Sequence, residues 1–71
     1  MIWFEIVEGK NVNDYDNAGD FKSLPKALAY AKKSKHPYVR IDKFEGDEMF
    51  DGDYVDTVFE KGLNIPATAR S

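Results

Sequence analysis

The chain has 71 residues, no cysteine and one histidine, with 13 acidic and 10 basic side chains and a formal net charge of −3. These counts exclude disulfides, thiolate metal sites and multi-histidine metal centres. A length near the lower limit for independent folding leaves packing, alone or with oligomerisation, as the source of stability.

One Trp, four Tyr and five Phe favour a folded domain over a disordered segment. Charge is uneven: residues 1–36 carry six positive and five negative side chains, residues 37–71 four and eight. The first residues lack the basic start and apolar run of a secretory signal, and no stretch approaches the ~20 apolar residues of a membrane span. The expectation is a cytoplasmic protein with no membrane attachment.

Residues 2–7 read as a strand in which Ile2, Phe4 and Ile6 alternate with Trp3, Glu5 and Val7. Residues 9–22 are rich in Asn, Asp and Gly and read mainly as turn and loop, with room for a short second strand around Val12 after a turn at 9–11. Residues 23–35 carry the clearest period in the chain. Leu24, Ala27, Leu28 and Ala31 form one apolar stripe, Ser23 stands where its side chain can cap the first turn, and Pro25 fits that turn. Pro37 ends the helix.

Residues 38–44 and 53–60 read as a second and a third strand, joined by a loop over 45–52 and paired as an antiparallel hairpin. Residues 1–61 form the domain, and 62–71 read as a flexible tail. The order β-(β)-α-β-β specifies a two-layer α+β sandwich, with one helix packed on one face of a mainly antiparallel sheet. A crossing through the helix between parallel strands of that sheet would be right-handed.

One helix covers one face. Ile2, Phe4, Ile6, Val39, Ile41, Val55 and Phe59 are assigned to it. Strict alternation then sends Trp3, Val7, Tyr38, Phe44, Tyr54 and Val58 to the other face, among Glu5, Arg40, Asp42 and Asp56. Trp, Tyr and Arg often dominate binding energy at protein contacts. Trp3, Val7, Tyr38, Arg40, Tyr54 and Val58 are therefore the expected contact residues. The competing reading folds the 9–22 loop or the tail over that face and closes a second small core.

Other motifs are weaker. Asp14, Asp16 and Asp20 with Gly19 resemble the start of a calcium loop, but Ala18 and Pro25 stand at ligand positions, so these residues read as turn formers. Glu45, Asp47, Glu48, Asp51 and Asp53 surround the hairpin with Met49 and Phe50 in its middle, and such a cluster either steers a basic partner or simply keeps a loop solvated. Lys26, Lys32, Lys33, Lys35 and His36 make the helix exit basic. That pattern suits phosphate contacts, though cations at a helix C-terminus also complement its dipole.

No phosphate loop, nucleophile elbow or paired His–Cys arrangement is present, so no catalytic residue, metal, cofactor or small-molecule substrate is assigned. The sequence points to a non-enzymatic adaptor or inhibitor that binds another protein or a second copy of itself. A nucleic-acid-binding module using the basic helix exit is the alternative.

Overall fold

The computed structural model describes residues 1–48 and 51–62. Its elements are β1 (Ile2–Asn11), β2 (Asp14–Phe21), α1 (Leu24–Lys33), β3 (Tyr38–Glu48) and β4 (Asp51–Lys61). The sheet order is β2-β1-β3-β4 with every neighbouring pair antiparallel, and α1 lies on one face. This is the expected small α+β fold. The helix connects β2 to β3, which run parallel to each other with β1 between them. Of the expected tail over 62–71 only Gly62 is described; residues 63–71, and Met49 and Phe50, lie outside the described residues.

The helix forms where the apolar period requires it. Ala27 and Ala31 are fully buried on Phe4, Ile6, Val39 and Ile41, with Leu24, Leu28, Phe21, Val58 and Phe59 packed around them. Alanine at the two innermost helix positions lets the backbone approach the sheet closely. Ser23 occupies the N-cap position, but its side chain makes no capping hydrogen bond; its carbonyl accepts from Ala27 N–H at 3.0 Å.

All four strands are longer than their composition suggests, β1 running on to Asn11. Residues 14–21, read as loop, form the edge strand β2 because β1 pairs with them over seven registered positions; ladder hydrogen bonds override weak intrinsic propensity in Asp, Asn and Gly. The turn falls at Val12–Asn13, beyond the expected 9–11, where the Asn11 side chain accepts from Asn13 N–H at 2.8 Å. Asp14, Asp16 and Asp20 are thus spread along a strand rather than gathered in a loop. Likewise β3 and β4 run into the expected 45–52 loop, with Gly46 opposite Gly52 and Glu48 opposite Asp51.

Two irregularities in β4 break strict alternation. Ile41 pairs with Phe59 while Asp42 pairs with Thr57, so Val58 is an extra residue; Lys43 pairs with Asp56 while Phe44 pairs with Tyr54, so Val55 is another. Val58, expected on the second face, therefore packs with the helix-side core. Thr57 moves to the second face beside Asp42, and Asp56 aligns with Lys43 and Phe4 on the helix side.

Register lays out the helix-side face in rows: Glu8, Val39 and Lys61; Ile6, Ile41 and Phe59; Phe4, Lys43 and Asp56; Ile2, Glu45 and Asp53. The helix covers the first rows only. Ile2 and Val55, expected in the core, are 43% and 46% exposed because the sheet continues past the end of α1. Truncating Ile41 to Ala should therefore cost about 2–5 kcal/mol in urea unfolding, whereas Val55→Ala should change stability by no more than about 0.5 kcal/mol.

Candidate functional site

Three groupings of polar side chains stand out, at the second face, at the helix exit and at the hairpin end. On the second face, Gly9 lies between Tyr15 of β2 and Tyr38 of β3. Lacking a side chain, it lets their rings meet across β1 with centroids 6.0 Å apart; a β-carbon there would collide with the Asp14 carbonyl and Tyr15. At the other end, Trp3 stacks on Phe44 at 5.9 Å, and Phe44 meets Tyr54 edge-on at 6.0 Å.

Arg40 organises the middle of this face. Its Nε donates to Asp42 Oδ2 at 3.0 Å, Nη1 to the Tyr38 hydroxyl at 3.4 Å and Nη2 to the Tyr15 hydroxyl at 3.2 Å, and the guanidinium lies 4.7 Å from the Tyr15 ring centroid. Tyr38 in turn donates to Glu60 Oε2 at 2.6 Å. Thr57 donates to Asp42 Oδ1 at 2.8 Å, and its hydroxyl also lies 2.8 Å from that of Tyr54. Asp42 is buried, and its two oxygens are satisfied by an arginine and a hydroxyl.

Burial works against the Arg40 charge, but hydrogen bonds to Tyr15 and Tyr38 and the charge of Asp42 outweigh it, so its pKa is raised. Burial, then the hydrogen bond to Glu60, pushes the Tyr38 phenol above its ordinary value, while Arg40 pulls in the other direction.

The predicted contact residues divide here. Trp3, Val7 and Tyr38 are buried, at 1%, 7% and 0% exposure, and so are not available on an open face. The Trp3 indole N–H also donates to Glu5 at 3.3 Å, and Val7 lies opposite Arg40 in the ladder. Val58 is on the helix side, for the reason given above. Of the six, Arg40 is partly accessible and Tyr54 is exposed.

At the helix exit, Glu8 accepts from the Tyr30 hydroxyl at 3.0 Å and from the Ser34 hydroxyl, with His36 Nε2 3.9 Å away. The bond to Glu8 is the main cause that raises the Tyr30 pKa. Lys61 donates to the carbonyls of Ala31 and Ser34 at 3.5 and 3.0 Å. A cation at the free carbonyls and an acid accepting from two hydroxyls hold the helix end to β1 and β4. The Ser34 hydroxyl is bonded to Glu8, and His36 meets it through backbone N–H at 3.3 Å, so no nucleophile–base pair is assembled. Among the described residues, no group of three or more His, Asp or Glu is arranged to hold a metal ion.

At the hairpin end, Glu45, Asp47, Glu48, Asp51 and Asp53 are all exposed. None of these five carboxylates forms an ion pair or side-chain hydrogen bond among the described residues. Met1, Glu45, Gly46, Asp47, Asp53 and Val55 line a shallow hollow of about 390 Å3, with Ile2 in the same ladder row as Glu45 and Asp53. Met1 and Gly46 exchange two hydrogen bonds, of 2.7 and 2.9 Å, that fix this rim. Met1, Ile2 and Val55 had no place in the site read from sequence, since a strict period of two put Ile2 and Val55 beneath the helix.

No family model, curated protein or solved structure matches the chain. Among the described residues, no helix is long and apolar enough to cross a membrane.

Two outcomes follow from the second-face network. Arg40→Ala leaves Asp42 buried beside a missing cation and should lower stability by about 2–4 kcal/mol in thermal or urea unfolding, with Arg40→Lys losing less. Because the Tyr38 pKa is raised on folding, the native state holds this proton more tightly than the unfolded chain. Its contribution is fully present below the ordinary phenol value of 10.0 and is lost as pH rises through the raised value. Following phenolate absorbance together with stability, Tyr38→Phe should remove one late-ionising tyrosine and flatten part of the alkaline loss.

Proposed function

We propose that this chain is a small non-enzymatic protein-binding module, an adaptor or inhibitor, that docks on a cationic protein surface through the hairpin end of its helix-side face. The observation that carries this reading is the division of carboxylates. Glu5, Glu8, Asp42 and Glu60 are occupied by hydrogen bonds within the fold, whereas Glu45, Asp47, Glu48, Asp51 and Asp53 are exposed and unengaged. Five like charges on one hairpin repel each other, and a cationic partner relieves that repulsion while it speeds encounter.

The apolar floor of Met1, Ile2 and Val55 supplies contact area inside the charged rim. Trp3, Val7 and Tyr38 are buried and do not meet the partner. Tyr54, 55% exposed at the neighbouring edge, is the aromatic best placed to extend the contact. Strand addition is disfavoured at both sheet edges. β4 is bulged twice and carries Asp51, Asp53 and Asp56; β2 is bulged at Ala18 and carries Asp14, Asp16 and Asp20.

The test is affinity capture from the native host at low ionic strength, with two charge-reversed controls. Glu45→Lys, Asp47→Lys and Asp53→Lys together should lower recovery of the bound protein at least about tenfold, the equivalent of 1.4 kcal/mol, whereas Lys32→Glu with Lys33→Glu should leave it intact. Loss with the lysine variant instead, in nuclease-sensitive material, would favour the nucleic-acid alternative.

A further inference from the structure

The uncovered end of the sheet accepts a cationic surface of limited length, and this chain displays one on its own helix. Lys26, Ala29, Tyr30 and Lys33 recur at i, i+3, i+4 and i+7 on α1 and are all exposed, with Lys32 and Lys35 beside them. No acidic residue occurs between Leu24 and Pro37, and these lysines form no ion pair among the described residues. The stripe is therefore a small apolar strip between two cations, the charge complement of an apolar floor between carboxylates.

We propose that the outer face of α1 in one copy seats on the Met1–Ile2–Val55 floor of a second copy, with Lys26 and Lys33 reaching Glu45, Asp47 and Asp53. This rests on the reading of the hairpin end as a docking surface and names one occupant for it. Lys26 and Lys33 stand about 10 Å apart along the helix at 1.5 Å per residue. That spacing brackets a floor built on two or three neighbouring strands about 4.8 Å apart. Tyr30 leans toward the sheet, its hydroxyl held by Glu8 and its ring 5.7 Å from that of Phe21, and its 40% exposed remainder adds contact area on the flank of the stripe.

The two surfaces are different patches of the same chain, so the contact is heterologous. One pair of copies leaves a helix free at one end and a hairpin free at the other, and association continues into a ring or an open chain. A single helix stripe buries less than the roughly 800 Å2 per partner of a stable interface, so the contact is weak, concentration-dependent and screened by salt.

Sedimentation velocity on the full chain tests this. At low salt the weight-average mass should rise with concentration above the 8.1 kDa monomer, and at about 1 M salt, where the screening length falls to about 3 Å, it should return to it. The hairpin variant Glu45→Lys with Asp53→Lys, and the helix variant Lys26→Glu with Lys33→Glu, should each stay monomeric, with circular dichroism confirming that both are folded. Mixed in equal amounts, each variant supplies the charge that the other lacks, in native or reversed sense, so the mass of the mixture should rise again above that of either variant alone. A wild-type chain that stays at monomer mass up to millimolar concentration in low salt overturns the self-contact, as does unchanged association in either variant. The capture experiment above then judges the docking surface independently.

Discussion

A helix rises about 1.5 Å per residue and a strand about 3.3 Å, so the ten residues of α1 span less than half the length of the ten or eleven in β1, β3 and β4. This mismatch decides where the core can be. Phe4, Ile6, Val39 and Ile41 lie under the helix and are buried, while Ile2, in line with them on the same face, is left half open. The helix stops at both ends where the backbone turns extended, at Ser23 on entry and at Ser34 on exit, three residues before Pro37. The helix end is then held in place by Glu8 and Lys61.

The opposite face compensates for having no helix. Arg40 contacts Tyr15 of β2 and Tyr38 and Asp42 of β3, and through those two residues reaches Glu60 and Thr57 of β4. One guanidinium thus links an edge strand to the opposite edge, across the gap left by the missing side chain of Gly9. Buried polar groups are costly only when their bonding is incomplete, and among the described residues no buried side-chain nitrogen or oxygen lacks a partner. The acids recruited into the two anchoring networks, Glu8, Asp42 and Glu60, lie toward the end of the sheet that the helix covers. Those on the hairpin beyond it have no such role; Asp14, Asp16, Asp20 and Asp56 are exposed and unengaged as well, but only the hairpin gathers five such acids in one short stretch.

The sequence made the architecture legible where apolar periodicity was strong. The Leu24, Ala27, Leu28, Ala31 stripe and the alternation in β1 and β3 led directly to one helix on one sheet face. It failed where pairing partners rather than side chains decide structure. Residues 14–21 have little intrinsic strand preference and become β2 because β1 offers its edge. In β4, strict alternation fails across Val55 and Val58 because each is an extra residue with no counterpart in β3, and a bulge leaves no mark in a string of Val, Asp and Thr. The site suffered from the same error. Period alone puts Trp3 and Tyr38 on an open face and carries no signal that a glycine gap and an arginine network enclose Tyr38. The hairpin acids needed no register to identify, because their number in so short a stretch is visible directly.

The account turns on which carboxylates are free. Carbodiimide-driven amine labelling of the intact protein, read residue by residue by mass spectrometry, measures this directly. Glu45, Asp47, Glu48, Asp51 and Asp53 should label rapidly, and Glu8 and Asp42 slowly, with denaturant abolishing the difference. Equal labelling of the two groups in the folded protein, or slow labelling of the hairpin in dilute high-salt solution, would contradict the division on which the proposed docking surface depends.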